Sequence, residues 1–377
     1  AVQTGHDVAV VGVDAHDLRC GKAHHVLREL FVVSCGVVRE EPREAELADV
    51  FHQNRVQHAV VHPRLRHRRG AAAVVASVAH GDEGEVVLDP LLGQPDRPMP
   101  SDAAEDAVRR GAAAVLTDDE ELSLSVPVVC RKDAPLLLGE INKTLFQPLP
   151  AVFAAVTGTN GKTSTVSFLR QIWDFAGFEA ASLGTLGIRT KNKTEYTGWT
   201  NADNVTMFEK LSKAADDGVT HVAIEASSHG LALHRLAGLK FKTVGFTNLT
   251  QDHLDFHKTM ENYFQAKMKL FEDYAEDGAA AVINADIPEF EKIAALCAAR
   301  GLKVCFYGEK GSELRLLGQN LHQTGQDLDL EIFGRRYNIP MQITGSFQAW
   351  NALCALGMAL ASGVDEETAA QALPGLK

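Results

Sequence analysis

Residues 151–156, a short apolar run of small and β-branched side chains, pass without a break into Thr157-Gly158-Thr159-Asn160-Gly161-Lys162-Thr163-Ser164 and then into a helical pattern. Such a run suits a buried parallel strand. Gly158 and Gly161 permit backbone conformations that a side chain forbids, so successive N–H groups can converge on an anion. Lys162 adds a positive charge and Thr163 a hydroxyl suited to Mg2+, while Val166, Leu169, Trp173 and Ala176 recur at helical spacing up to the stop at Gly177. Residues 163–176 are therefore predicted to form a helix whose N-terminus faces bound phosphate. The loop departs from G-x-x-x-x-G-K-[ST], because Val156 stands where that pattern has its first glycine, so its context must carry the assignment.

The context is a βαβ text. Residues 221–226, 242–247, 279–284 and 303–307 read as strands, and 260–274, 289–300 and 348–361 as helices. Residues 328–332 and 336–339 read as an antiparallel pair turned at Gly334. The expected fold class is α/β, a phosphate-loop domain with a mostly parallel sheet flanked by helices, preceded by a smaller, atypical α/β segment. Upstream, 103–110 reads as a helix stopped by Gly111 and 112–116 as a strand, and Pro127, Pro135, Pro148 and Pro150 punctuate a boundary near 145–150. The expected domains are an atypical segment at 1–100, a remnant domain at 101–148 and the nucleotide domain at 149–377.

Composition excludes several classes. The chain's 377 residues exceed the usual size of one core, and no apolar run approaches the roughly 20 residues needed to cross a bilayer. With no signal-peptide order at the N-terminus, a cytoplasmic location is expected. The net charge of −12 argues against a nucleic-acid partner. The basic cluster Arg64, Arg66, His67, Arg68 and Arg69 lacks interleaved aromatics and reads as a solvated loop. Cys20, Cys35, Cys130, Cys297, Cys305 and Cys354 are scattered without a C-x-x-C pair and read as free thiols.

Candidate chemistry lies where strands end. Glu225 closes the strand 221–226, at the edge where open α/β sheets gather ligands, and is a candidate metal ligand. Residues 248–257 follow another strand and are dense in Asn, Asp and His; His253 and His257 lack the H-E-x-x-H pattern of a zinc site, so a nucleotide-bound metal is the better reading. Lys267 shares an apolar helix face with Tyr263, Phe264, Leu270 and Phe271, and its spacing alone favours a stem that packs while the amine reaches water.

Three ordered segments, Thr-Gly-Thr-Asn-Gly-Lys-Thr at 157–163, Glu-Ala-Ser-Ser-His-Gly-Leu at 225–231 and Phe-Thr-Asn-Leu-Thr-Gln-Asp-His-Leu-Asp-Phe-His at 246–257, carry a family resemblance. The chain from about 103 to 376 resembles the Mur ligases of bacterial cell-wall synthesis, and within them the MurE type, which the second segment distinguishes. The resemblance implies an ATP-dependent ligase that adds an amino acid, meso-diaminopimelate or lysine, to UDP-N-acetylmuramoyl-L-alanyl-D-glutamate through an acyl phosphate. ATP and Mg2+ are the implied cofactors, the UDP-MurNAc-dipeptide and an amino acid the implied partners, and the monomer the implied state. By the same resemblance Gly158, Thr159, Asn160, Gly161, Lys162, Thr163 and Ser164 hold phosphates, with Thr163 and Glu225 on one Mg2+ and His253 and Lys267 serving a second. Lys267 aligns with a lysine that the family carbamylates. Thr200, Asn201, Ser227 and Arg235 fall on the sugar-nucleotide peptide, and Gln348 and Asn351 on the adenine side.

This chain reads Thr200-Asn201-Ala202 where the family usually has Thr-Thr-Pro. It reaches Pro374-Gly375-Leu376-Lys377 where the family's third domain, which recognises the amino acid, is expected to begin. Residues 1–100 hold one lysine, Lys22, and only Phe31 and Phe51 as aromatics, which favours a shifted reading frame slightly over a divergent uridine-binding domain. Folylpolyglutamate synthase, which shares the loop but not the 225–231 segment, is the alternative enzyme. A nucleotide-binding fragment without turnover is the alternative outside enzymes.

Overall fold

A computed structural model describes residues 74–77, 100–109, 112–195 and 204–377. Two compact units divide it: 1–147 with 203–208, and 148–202 with 209–377. Nearly all of the expectation for residues 1–100 lies outside the described residues, as do Thr200 and Asn201, the basic cluster at 64–69, Cys20 and Cys35.

In the first unit, β1 (Val74–Ser77) pairs antiparallel with β2 (Ala112–Thr117), which pairs parallel with β3 (Val128–Cys130). Helices α1 (Pro100–Arg109) and α2 (Ala134–Leu145) supply Ala104, Ala107, Leu138 and Ile141 to a core shared with Val115, Leu116 and Val129. The buried Asn142 donates from its amide nitrogen to Asn204 Oδ1 at 2.8 Å, while its own Oδ1 has no protein partner.

The second unit is built on an 11-stranded sheet. Its elements, in chain order, are β4 (Val152–Thr157), α3 (Lys162–Phe175), β5 (Ala180–Gly184), β6 (Gly187–Thr190), β7 (Thr194–Glu195), α4 (Asn204–Asp216, whose first turn groups with the first unit), β8 (His221–Glu225) and α5 (Ser228–Ala232). Then come β9 (Phe241–Phe246), α6 (Leu254–His257), α7 (Met260–Lys269), a π-helical turn (Leu270–Tyr274), β10 (Ala275–Asn284), α8 (Phe290–Ala299) and β11 (Lys303–Gly308). Strands β12 (Leu314–His322), β13 (Gly325–Ile332) and β14 (Arg335–Met341) precede α9 (Gln348–Ala361) and α10 (Glu366–Ala372). The spatial order is β14-β13-β12-β11-β10-β9-β4-β8-β5-β6-β7. From β12 to β5 neighbours run parallel; the two flanks, β12-β13-β14 and β5-β6-β7, are antiparallel.

The expected fold class is therefore present, and most strands and helices fall within a residue or two of their predicted bounds. Two differences have physical causes. The predicted helix 260–274 is α-helical only to Lys269 and then widens into the π-helical turn, which keeps Leu270, Phe271 and Tyr274 buried. The strand predicted from 279 starts at Ala275, which pairs with Phe241; regular pairing resumes at Ala280 opposite Thr243, and the exposed Glu276-Asp277-Gly278 bulge between them hides the strand's true start in a turn-like text.

Both sheet faces are covered. Helices α3, α9 and α10 bury Leu169, Ile172, Trp173, Leu353, Leu356 and Ala369 in one cluster with Ala154, Val156 and Val282 of the central strands. Gly245 on β9 and Gly357 on α9 allow the close approach: a Cβ at Gly245 would lie 2.9 Å from the Met358 sulfur, and one at Gly357 2.8 Å from Val282. Alternation turns Phe246 to the opposite face, where its ring centroid lies 6.3 Å from that of Phe271. Ladder register then sets the site: Val156 is level with Glu225 on one side and Gly245 on the other, and Thr157 with Phe246, so three strands end together.

Candidate active site

The phosphate loop leaves β4 and enters α3 through two glycines at positive φ. Gly158 has φ +143° and Gly161 φ +86°, values that L side chains rarely adopt. Space forbids a side chain at both: a Cβ would lie 1.9 Å from Thr247 Oγ1 at Gly158 and 2.2 Å from Asn351 Oδ1 at Gly161. Residues after β9 hold the loop. Thr159 N–H donates to Asn248 O at 2.8 Å, Asn160 N–H to Asn248 Oδ1 at 2.9 Å, and the Thr247 hydroxyl to Asn160 O at 2.6 Å. Thr250 N–H donates to the Thr159 hydroxyl at 2.9 Å, and that hydroxyl to Thr250 O at 3.1 Å.

Three charged side chains converge on this loop. Lys162 folds back to donate to Gly158 O at 2.8 Å and Thr159 O at 2.9 Å. Burial lowers its pKa, against the opposing pull of Glu225 and Asp252. Glu225 is 2% exposed; its Oε2 accepts from the Thr163 hydroxyl at 2.9 Å and its Oε1 from Thr185 N–H at 2.9 Å. Burial raises its pKa, and those donors together with Lys162 restrain the rise. Gly184 leaves room for this carboxylate, since a Cβ there would lie 2.0 Å from Oε1.

Lys267 overturns the expectation drawn from its spacing. It does not reach water: the residue is 1% exposed, its amine donates to Gly158 O at 2.8 Å and it sits 4.2 Å above the Tyr263 ring centre. Burial, helped by repulsion from Lys162, holds its pKa well below the ordinary lysine value. A lysine so placed is held largely by desolvation rather than by a carboxylate partner, which suits a neutral, reactive amine.

His253, at φ +51°, caps α6 and lies edge-on to His229 at 4.8 Å between ring centroids. Tyr263 links it to Lys267, with its ring 6.1 Å from that of His253. The Tyr263 hydroxyl donates to Thr159 Oγ1 at 3.2 Å, so the tyrosine joins the phosphate loop to α7. Sequence reasoning used Tyr263 only as a packing residue, although its spacing of four from Lys267 on one helix face was a usable signal. Ser227 caps α5 by accepting from Gly230 N–H at 3.0 Å, and His257 Nε2 meets the buried Ser228 hydroxyl at 3.0 Å. Arg235 follows α5, its N–H donating to Gly230 O at 2.8 Å. Asn351 donates to Gln348 Oε1 at 2.9 Å in the first turn of α9, and Asn351 itself lies beside Gly161.

The residues fit a nucleotide and a hard divalent cation. Loop N–H groups stand before a 14-residue helix, Lys162 supplies charge, and Thr163 and Glu225 place a hydroxyl and a carboxylate 2.9 Å apart at the helix start. The buried Thr157 hydroxyl at the end of β4 has no protein partner. Among the described residues no group of three or more His, Cys, Asp and Glu forms a ready metal cluster, so a cation here would draw on hydroxyl and phosphate oxygens as well. Also among the described residues, Cys130, Cys297, Cys305 and Cys354 are free, and no helix is long and apolar enough to cross a membrane.

A parallel sheet with a glycine loop between one of its middle strands and a helix, and a carboxylate on the neighbouring strand end, has the arrangement of an α/β phosphate-loop domain. Residues 156–359 match the Mur ligase middle domain, and the chain belongs to the Mur ligase family. It is 42% identical over 283 residues to UDP-N-acetylmuramoyl-L-alanyl-D-glutamate–2,6-diaminopimelate ligase of Caulobacter vibrioides, covering 73% of this chain and 58% of that protein. A solved structure of a ligase with that name superposes with a TM-score of 0.67 at 27% identity, covering 73% of this chain and 56% of the other. The fold also matches a folylpolyglutamate synthase solved with AMPPCP and folate, at TM-score 0.54 and 14% identity, covering 65% and 67% of the two chains. The MurE-type resemblance read from the three segments thus holds, and the chain spans under two thirds of the relatives it matches.

Proposed function

We propose that this domain performs the ATP-dependent activation step of a MurE-type amide ligase in the cytoplasm, acting on UDP-N-acetylmuramoyl-L-alanyl-D-glutamate. The observation that carries the reading is the Thr163–Glu225 contact of 2.9 Å at the start of the phosphate-loop helix, beside Lys162. When bound, ATP would supply the γ-phosphoryl group that activates the substrate carboxylate as an acyl phosphate, leaving as ADP, and Mg2+ would neutralise the phosphate charge. Gly158 to Ser164 would hold the phosphates, Lys162 would balance their charge, and Thr163 and Glu225 would hold the cation. Gln348 and Asn351 would meet the base side of the nucleotide, and Ser227 and Arg235, with Thr200 and Asn201, the sugar-nucleotide peptide.

Lys267 and His253 would serve a second cation. Its lowered pKa favours the deprotonated amine of Lys267, which can attack CO2, forming an N–C bond and releasing a proton, and so become an anionic oxygen ligand. A mass increment of one CO2 on the peptide containing Lys267 is expected; an unmodified peptide from active protein would reject this role. The diaminopimelate in the relatives' names supports that amino acid as the incoming amine. Phosphate release from ATP, measured with the UDP-MurNAc-dipeptide and each of meso-diaminopimelate and lysine, tests the whole reading. Release with a folate acceptor instead would favour the folylpolyglutamate alternative, and ATP binding with no release on any acceptor would leave a nucleotide-binding fragment.

A further inference from the structure

The half-buried carboxylate of Asp286 lies outside every motif considered above, yet it collects donors from two segments, the turn after β11 and the first turn of α9. It follows β10, and its own N–H is fixed to Asn284 Oδ1 at 2.9 Å. Its oxygens accept from Glu309 N–H at 2.8 Å, Lys310 N–H at 2.9 Å and the Trp350 indole N–H at 2.7 Å. Gly308 makes the approach possible, since a Cβ there would lie 2.2 Å from Asp286 Oδ2. Trp350 lies between Gln348 and Asn351 in the first turn of α9.

The other end of this network reaches the phosphate loop. Asn284, 6% exposed, donates to Thr247 O at 2.8 Å, and the Thr247 hydroxyl donates to Asn160 O at 2.6 Å. An unbroken polar path therefore runs from Asn160 through Thr247, Asn284 and Asp286 to Trp350. The neighbouring Asn351 packs against the loop, since a Cβ at Gly161 would lie 2.2 Å from its Oδ1. Apolar packing of α9 on the sheet is non-directional, whereas a hydrogen bond of 2.7 Å to a pinned carboxylate fixes the position of one side chain in its first turn.

We propose that Asp286 is a positioning residue for nucleotide binding: by holding the Trp350 indole it sets the first turn of α9 against the phosphate loop. The inference rests on the nucleotide reading of the loop. Asp286→Asn replaces one acceptor oxygen by a donor facing N–H groups and is expected to weaken binding of ADP and of a non-hydrolysable ATP analogue about tenfold. Trp350→Phe keeps an aromatic side chain but loses the indole N–H together with part of the ring volume, and leaves the carboxylate intact, so a smaller loss of about threefold is expected.

Calorimetric titration of the wild type, both single variants and the double variant tests the coupling, with Trp173→Phe as the control. Trp173 donates to Ser362 at 2.8 Å near the far end of the same helix, so its loss lowers the melting temperature without touching the loop. The expected result is a double variant no weaker in nucleotide affinity than Asp286→Asn, with Trp173→Phe unchanged in affinity. Additive losses in the double variant, or an Asp286→Asn loss no larger than that of Trp173→Phe, would overturn the proposal. Should Asp286→Asn fail to fold, Trp350→Phe with unchanged affinity overturns it alone. A wild type that binds neither nucleotide overturns the nucleotide reading itself, whereas normal wild-type binding with unaffected variants overturns only the role of Asp286.

Discussion

The centre and the β12–β14 wing of one sheet solve opposite problems. The wing alternates as an antiparallel surface should, burying Leu314, Leu316, Leu328, Leu330, Ile332, Ile339 and Met341. Its buried polar side chain, Gln326, is satisfied by donating to Ile343 O at 2.9 Å and Gly345 O at 3.3 Å. At the carboxyl end of β4, β8 and β9 the sheet instead buries Glu225, Lys267, Thr247, Ser228, His257, Asn284 and Asn351. Burying charge there is costly, and the pKa directions of Glu225 and Lys267 record that cost. The wing is built for stability and the centre for holding charge in place, so substitutions in the two regions should separate stability from activity.

The largest effect is expected at the centre. Lys162→Ala removes the cation from the phosphate loop and should lower nucleotide-dependent turnover by about 10^2- to 10^3-fold. Its melting temperature should hold or rise, because the amine is disfavoured by burial in the folded state. Turnover within about tenfold of the wild type would erase the distinction between the regions.

The wing should answer in the opposite way. Leu330 on β13 is fully buried, and Leu330→Ala is expected to cost about 3 kcal/mol in denaturant unfolding through lost transfer energy and the cavity left behind. Nucleotide affinity should stay that of the wild type at temperatures where both are folded. A matching loss of affinity would show that the wing shapes the site.

Lys267 offers a pH-dependent contrast. With a folded-state pKa below the unfolded value, the folded protein releases this proton first, so the unfolded state binds more protons between the two values. The destabilising contribution of the charged amine is therefore full below the folded pKa and is relieved as pH rises toward 10.5, the ordinary lysine value. Lys267→Met should be more stable than the unmodified wild type at neutral pH while losing activity, and its advantage should shrink in the alkaline range. An advantage that is constant with pH would mean that packing, not charge, sets the difference.

What the sequence showed and hid follows the same division. The phosphate loop, Glu225 and the strands around them were legible because glycine placement, β-branched runs and strand-end position each have a short-range signature. The burial of Lys267 was not, since spacing alone is compatible with an amine that reaches water; only the Gly158 carbonyl and the Tyr263 ring, distant in sequence, decide it. Asp286 was hidden for the same reason, because Asn-Ala-Asp reads as a turn until Gly308 and Trp350 close on it. The hairpin flank β5-β6-β7 escaped notice because its strands are only five, four and two residues long. Three-dimensional coincidence, rather than local propensity, made these features.

The smallest expected effect probes how the two properties meet in one helix. Thr259 caps α7, its hydroxyl accepting from Asn262 N–H at 3.1 Å. Thr259→Ala should cost about 1 kcal/mol of stability, as the loss of a single N-cap does. The cap lies one turn before Tyr263 and two before Lys267, whose contacts with Thr159 and Gly158 are independent of it. If those contacts hold α7 against the loop, the variant loses stability but keeps its nucleotide affinity, behaving like a wing residue inside the centre. A drop in affinity would mean that the cap itself sets where Lys267 stands, and the division between stability and charge placement would then run through single helices rather than between halves of the sheet.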